Sequence, residues 1–582
     1  MRRNLFIILG VALVVVAGLA GWLVQTAGGT VAIRDLRFEG ANGAMMSALL
    51  YVPRTATAKT PAPGILAVHG YINSRETQSG FAIELARRGY VVLALDQTGH
   101  GYSDPPAFAN GFGGPDGLKL LRSLDIVDKN NIGLEGHSMG GWTFLAAAAV
   151  MKDDYKSAVL EGSSTGAPFA AEGSPTWPRN LAVVYSRYDE FSQLMWSVPR
   201  AADVTRSDKL KKVFGTDADI VPGKIYGSIA DGTARALFTP VTTHPGDHIS
   251  NSAIGYAIDW FGQTLTGAKS LPTSNQIWIW KELATLVGFV GFVFFLLGMG
   301  SVLLRTKTFS RLARAAPAPK PLTGPAWWIA AAVTAAIPVI FFYLFMTLGA
   351  KVTASWLFPQ TITSQIMVWA LMNGAIFLVL FLVWHFVTAA AQGATAATYG
   401  LVESDKTGWG RIGLDAVYAI AVVFAGYLLL VCADYFFKID FRFWVLALKP
   451  MSSLQLGIFL RYLLPFAAFF LISSLTLHAQ YRLPKANAWA RYFANMGIMA
   501  GGFLVFLLLE YVVLFARGSL LNASQPLNTI VAIQFLPLMT VASIFSTWFY
   551  EKTGRVYAGA FVNALFITWY IVAGQAIQFP LK

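Results

Sequence analysis

The sequence predicts an α/β domain, its sheet doubly wound and mostly parallel, joined to an all-α bundle of membrane helices. Three observations carry that reading. Between residues 31 and 270, short strand-like apolar runs alternate with helix-like segments, the pattern of a parallel sheet covered on both faces. Within that region Asn131 to Trp142, NIGLEGHSMGGW, reads as a strand, a sharp turn and a helix. Residues 280 to 578 instead carry long apolar runs broken by short basic loops. The chain has 582 residues, of which 55% are hydrophobic and 13% charged. It is too long for one domain and too apolar for a wholly soluble protein.

Taken in order, Met1-Arg2-Arg3 precedes an apolar run from Leu5 to Val24, long enough to cross a hydrocarbon core of about 30 Å. Residues 1–27 are therefore expected to be a transmembrane anchor. Ala17-Gly18-Leu19-Ala20 would also suit cleavage of a signal peptide, but the run is long for a signal core. Either way, Arg2 and Arg3 hold the start in the cytoplasm and direct the residues after the apolar run to the outside. Val31 to Phe38 and Met45 to Val52 read as strands joined through Asn42-Gly43, a dipeptide suited to a tight hairpin. Ile65 to Val68 is a buried strand ending in His69-Gly70-Tyr71, Arg75 to Arg88 a helix, and Tyr90 to Leu95 a strand ending at Asp96. After the turn at Ser138 come a helix from Phe144 to Val150 and strands at Ser157 to Leu160, Leu181 to Tyr185 and Ala234 to Thr239. The amphipathic helix Ala253 to Leu265 then closes a domain spanning 30–270. Ser192 to Thr233 is long for a connection, and reads either as a lid facing substrate or as a plain pair of surface helices.

Residues 280–582 are expected to form a membrane domain of about eight helices, near 283–304, 326–349, 365–387, 413–437, 454–474, 492–516, 531–549 and 556–577. The loop from Arg305 to Lys320 holds five basic residues and that from Arg482 to Arg491 three, which puts both in the cytoplasm and the α/β domain outside the cell membrane, with nine spans in all. The loop from Lys438 to Lys449 fits worst, because its three basic residues fall on the expected outer side. The net charge of +13 comes largely from these loops and points to the lipid bilayer as partner rather than to nucleic acid. The lone cysteine, Cys432, excludes an intrachain disulfide and a cysteine metal site. Arg461, Glu510 and Asp434 lie within spans, where charge is costly, and are expected to form an ion pair inside the bundle, the alternative being a polar pocket beneath the α/β domain that holds a lipid headgroup or guides a substrate.

The chemistry is concentrated in Gly136-His137-Ser138-Met139-Gly140. A serine on such a turn is pushed into the open, because the flanking glycines remove side chains that would collide with the neighbouring strand and helix. A serine nucleophile needs a base, a carboxylate to orient it, and donors aimed at the developing oxyanion. Asp189, after the strand Leu181 to Tyr185, offers the carboxylate, and His244, after Ala234 to Thr239, offers the base. His248 is the alternative base, and Asp247 and Glu190 stand beside these residues as substitutes. Backbone N–H groups of Met139 and Tyr71 are the expected oxyanion donors.

Three motifs make the resemblance specific. Gly136-His137-Ser138-Met139-Gly140 matches the nucleophile elbow of the α/β-hydrolase superfamily of serine esterases, lipases and peptidases; Val68-His69-Gly70-Tyr71 resembles its oxyanion strand; and Asp96-Gln97-Thr98-Gly99-His100-Gly101-Tyr102-Ser103-Asp104 is similar to its Asp-x-x-Gly-x-Gly-x-Ser loop. The resemblance covers residues 31 to 270. It implies acyl transfer from an ester, thioester or amide through an acyl-Ser138 intermediate, without cofactor or metal. Acyl lipids or lipid-linked esters, met at the membrane, are the expected substrates of such a fusion. Two other readings stand beside it: peptide hydrolysis or acyl transfer with the same residues, and a transporter or scaffold whose outer domain is a binding module.

Overall fold

The computed structural model describes residues 4–318, 320–402 and 408–581. Arg2 and Arg3, on which the orientation of the first span rests, lie outside them. An eight-stranded sheet organises the first half, in the order β1-β2-β4-β3-β5-β6-β7-β8. Its strands are β1 (Val31–Glu39), β2 (Met45–Pro53), β3 (Ala62–Val68), β4 (Val91–Asp96), β5 (Val127–His137), β6 (Ser157–Glu161), β7 (Leu181–Val184) and β8 (Arg235–Phe238). The β1/β2 and β2/β4 pairings are antiparallel and all others parallel. The β1–β2 hairpin turns through Asn42 and Gly43, which adopt φ of 58° and 74°. That is the left-handed region which asparagine and glycine tolerate best.

Helices cover both faces. They are α2 (Ser79–Arg87), α3 (Gly114–Ser123), α4 (Met139–Val150), α5 (Ser192–Trp196), α6 (Asp208–Phe214) and α7 (Asn251–Thr264), with α1 (Leu5–Gln25) preceding the sheet. One apolar core gathers β5 with α3 and α4, the other β4 with α2 and α7. Buried on both sides, the central strands read as unbroken apolar runs rather than alternating ones. Two features differ from expectation. The strand before Ser138 begins at Val127, five residues before its apolar run, because Asp128, Lys129 and Asn130 lie on its more exposed start. Helix α3, which opens on Gly114 with Pro115 in its first turn, is not among the expected elements.

The second half comprises α8 (Trp278–Leu303), α9 (Gly324–Ile340), α10 (Phe342–Gly349), α11 (Thr361–Trp384), α12 (Trp409–Phe437), a short hairpin of β9 (Phe441–Phe443) and β10 (Leu446–Leu448), then α13 (Ser453–Leu475), α14 (Ala488–Arg517), α15 (Pro526–Thr553) and α16 (Val556–Gly574). Among the described residues eight helices are long and apolar enough to cross a membrane, nine if the bent pair α9 and α10 is one span. That pair replaces the straight span expected over 326–349. It bends by 43° after Pro338, which supplies no N–H to the helix ladder. Helix α1 lies along α8 at close quarters: a Cβ on Gly10 would stand 2.8 Å from the Gly291 carbonyl oxygen. Small residues of this kind let apolar helices approach and gain dispersion contacts.

The charged residues within the spans do not pair as expected. Arg461 donates to the Trp356 carbonyl at 2.5 Å and lies over its ring, Glu510 accepts from Tyr343 Oη at 2.7 Å, and Asp434 faces Lys438 at 3.8 Å. Each finds a nearer partner than the others.

The loop from Lys438 to Lys449 is the most informative departure. Two of its three basic residues, Arg442 and Lys449, dock the two halves of the chain together, while Lys438 faces Asp434 of the adjoining α12. Arg442, 2% exposed, pairs with Asp440, donates to Thr77 Oγ1 at 3.0 Å and faces Glu76 at 3.7 Å. Lys449 Nζ reaches Glu76 at 3.3 Å and stands 4.5 Å over the Tyr102 ring. Arg75, also buried, adds bonds to Glu76 at 3.2 Å and Asp35 at 2.7 Å. Burial alone would raise the Glu76 pKa, but these cations outweigh it and hold the carboxyl well below its ordinary value. Further along, the backbone of Ile577 exchanges hydrogen bonds with Gly99 and Ala107, at 2.8 and 2.7 Å.

Candidate active site

Ser138 stands between the end of β5 and the start of α4 with φ 54° and ψ −121°, a conformation costly for any side-chain-bearing residue. The glycines around it are required by contact: a Cβ on Gly136 would meet the Gly140 carbonyl carbon at 2.3 Å, and one on Gly140 would meet the Val68 carbonyl oxygen at 2.0 Å. The tight turn thus nests β5, α4 and β3 against one another and leaves Ser138 only half-buried. Its N–H is held by the Glu161 carbonyl at 2.8 Å.

Asp189 and His244 come from the carboxyl ends of β7 and β8, the edge where open parallel sheets place their ligands. Asp189 Oδ2 is 2.8 Å from His244 Nδ1, and its other oxygen accepts from the Phe191 N–H at 2.8 Å. The remaining nitrogen of His244, Nε2, is thereby left for the cavity that His244 and Ser138 both line. Burial disfavours a charged His244, yet Asp189 outweighs it, so the imidazole pKa lies above its ordinary value. Glu190, the neighbouring carboxylate, accepts from the His244 N–H at 2.7 Å and from Tyr511 Oη at 3.0 Å. Burial, with Asp189 beside it, lifts the Glu190 pKa to about 7. It anchors the His244 backbone while Asp189 orients the ring.

His248 is placed quite differently. It lines the same cavity, but among the described residues neither of its ring nitrogens has a hydrogen-bond partner. It packs against His137 at 4.2 Å and edge-on to Phe81 at 6.3 Å. Burial drives its pKa well below the ordinary value. Asp247, the other acid considered, is occupied elsewhere: it accepts from Ser186 Oγ and faces His137 Nε2 at 3.7 Å. His137, which the sequence did not single out, bonds the His244 carbonyl through Nε2 at 2.9 Å and so braces the His244 loop.

Gly70, Tyr71 and Met139 line the cavity beside Ser138, and Met139 opens α4, whose N-terminal dipole favours negative charge there. The Tyr71 hydroxyl accepts from Gln578 Nε2 at 2.8 Å, which ties this strand end to the last turn of the chain. The Asp96 loop beneath is held by its first residue. Asp96 accepts from the N–H groups of Arg75 and Tyr102, at 2.8 and 3.1 Å, and from Ser47 Oγ at 2.8 Å. Gly101 lies so close to that carboxylate that a Cβ would sit 2.1 Å from its oxygen.

The cavity measures about 300 Å³. Leu194 and Met195, at the start of the expected insertion, line it, whereas α6 does not. Its opposite wall comes from the second half of the chain: Trp444 and Val445 of the β9–β10 hairpin, and Leu527, Ile530 and Gln534 of α15. Trp444 Nε1 is fastened to the Pro245 carbonyl at 2.7 Å, next to His244. Sequence patterning gave no hint of this wall except the surplus of basic residues beside Trp444. Among the described residues, no group of three His, Cys, Asp or Glu side chains is arranged to hold a metal ion.

The family model described as the alpha/beta hydrolase fold matches residues 63–220, which include Ser138 and Asp189. No curated protein matches the chain. Among solved structures, the thioesterase domain from the curacin biosynthetic pathway is 15% identical over 40% of this chain and 99% of its own, with a TM-score of 0.26. An esterase of Pyrococcus furiosus is 15% identical over 42% of this chain and 94% of its own, with a TM-score of 0.31. An S-formylglutathione hydrolase of Agrobacterium tumefaciens is 14% identical over 41% and 96%, with a TM-score of 0.30.

Proposed function

From the premise that the sheet domain is an α/β hydrolase, we propose that the protein is a membrane-bound serine hydrolase acting on carboxylic esters, with Ser138 as nucleophile, His244 as base and Asp189 as its orienter. The observation that carries the reading is the 2.8 Å bond between Asp189 and His244 Nδ1, beside a serine held at positive φ in the same cavity. His244 takes the Ser138 proton as Oγ bonds to the acyl carbon, then returns it to the departing alkoxide as the ester C–O bond breaks. Water, activated by the same imidazole, attacks the acyl-serine and releases the acid and Ser138. The N–H groups of Tyr71 and Met139 stabilise the oxyanion in both steps, and neither step requires a cofactor.

In this reading residues 1–27 are a retained anchor, 30–270 the hydrolase and 280–582 the membrane domain. The hydrolase sits on the extracytoplasmic side, where esters of the outer leaflet reach it. Peptidase and acyltransferase chemistry would use the same atoms; the apolar cavity favours esters of lipid character. The test is labelling of the full-length protein with a fluorophosphonate probe. Label on the wild type that disappears in Ser138→Ala supports the assignment. An unlabelled but folded wild type would sink it and move function into the bundle.

A further inference from the structure

The reading of Ser138 as nucleophile leaves open which esters it takes, and the far wall of its cavity bears on that. No Asp, Glu, Lys or Arg lines this cavity among the described residues. A cationic group of a substrate would therefore be buried there without a counter-charge, and an anionic one would find only the His244 imidazole, so its lost hydration would go largely uncompensated. What the walls offer is dispersion and burial: Phe108, Trp142, Phe169 and Phe191 from the sheet domain, facing Leu527 and Ile530 on α15. Leu527, Ile530 and Gln534, spaced by three and four residues, fall on one face of that helix.

Gln534 has a second position in the architecture. It also lines a separate small space deeper in the bundle, among Trp369, Phe466, Phe535, Ile567 and Tyr570, with a volume of about 20 Å³. Its Oε1 accepts from Tyr570 Oη at 2.6 Å. The Ala447 N–H of the β9–β10 hairpin approaches the same phenol at 3.4 Å. Gln534 thus lines both spaces, and its partner Tyr570 lines the smaller one.

We infer that α15 is the chain-length ruler of the enzyme: its Leu527–Ile530–Gln534 face receives an uncharged alkyl chain of the ester, and Gln534 stops that chain at the mouth of the deeper space. The substrates are then esters bearing a neutral aliphatic chain, and the membrane domain is a specificity-determining part of the active site. The inference rests on the hydrolase reading but fails separately from it. The alkyl chain can belong to the acyl or to the alcohol side of the ester.

The experiment uses the full-length protein in detergent. One series of substrates varies the acyl side, from p-nitrophenyl acetate through butyrate and octanoate to palmitate; the other holds acetate constant and lengthens the alcohol from butyl to hexadecyl. The readout is the ratio of kcat/KM between long and short members within one preparation, which does not depend on how much of that preparation is folded. Ile530→Trp, which fills the wall, is expected to lower the octanoate-to-acetate ratio about tenfold, and Gln534→Ala, which removes the stop, to raise the palmitate-to-octanoate ratio by about tenfold. Leu527→Ala enlarges the same face and serves if the tryptophan variant does not fold. The series that responds identifies which side of the ester the cavity holds. Ratios within about twofold of wild type in all three variants, in both series, would overturn the inference while leaving the hydrolase reading intact. A wild type inactive on every ester of both series would overturn the hydrolase reading and the ruler with it.

Discussion

The two walls of the Ser138 cavity are both largely apolar but differ in what they add. The sheet-domain wall sets reactive polar groups, held by short backbone turns, among the rings of Phe108, Trp142, Phe169 and Phe191: Ser138 at positive φ, His244 braced by Asp189, Glu190 and His137, and glycines pressed against carbonyls. The wall from the second half is apolar side chains on a helix and a hairpin, held in place by a buried charge cluster and by Trp444 bonded to Pro245. In the proposed reading, the contrast assigns reactivity and selection to separate parts of the chain, so that each can be damaged without the other.

The largest effects should come from breaking the first wall. His244→Ala is expected to lower kcat/KM for a short ester by on the order of 10⁴ to 10⁶, as removal of a catalytic base does elsewhere. His248→Ala, which removes a ring with no carboxylate partner, should cost no more than about tenfold. Equal losses in the two variants would erase the distinction between the two histidines. Asp189→Asn should come next, at about 10⁴ in kcat, because the imidazole loses its orienting acceptor.

The second wall is broken through its anchor. Arg442→Ala leaves Glu76 and Asp440 buried with less positive charge, and should destabilise the protein by about 3 to 5 kcal/mol in a denaturation or thermal-shift measurement. Reactivity per labelled serine should survive better than stability.

The smallest effect sharpens the comparison through pH. A protonated His244 cannot take the Ser138 proton, and its pKa is raised, so kcat/KM should fall as pH drops through a value above about 6.5. The negative charge of Glu190 contributes to that rise. Glu190→Gln removes that charge, and the acid limb of the profile should move to lower pH, by less than loss of a full charge would cause because Glu190 itself takes up a proton near pH 7. A limb that moves upward, or not at all, would detach Glu190 from the base.

Much of the sheet domain was legible because its signals are local. The glycines around Ser138, the runs that end at Asp96 and Val68, and the order Ser138, Asp189, His244 each sit within a few residues of the element they mark. Choosing between His244 and His248 was not possible from spacing, because four residues of a short turn decide which ring reaches Asp189 and which is left among His137 and Phe81. The long apolar helices were legible from hydropathy, but the partners of their charged residues were not. Arg461, Glu510 and Asp434 satisfy themselves with Trp356, Tyr343 and Lys438, contacts that no periodicity encodes. The loop from Lys438 to Lys449 carried a readable anomaly whose cause, Glu76, lies more than three hundred residues away in the chain.

That separation along the chain has a consequence in time. Ser138, Asp189 and His244 are synthesised, and their sheet can close, long before Leu527, Ile530 and Gln534 leave the ribosome. Until α15 is in place, the sheet domain holds Ser138, Asp189 and His244 beside a cavity that lacks one wall. If α15 selects the substrate as proposed, discrimination among substrates is a property acquired after the reactive groups are already in place.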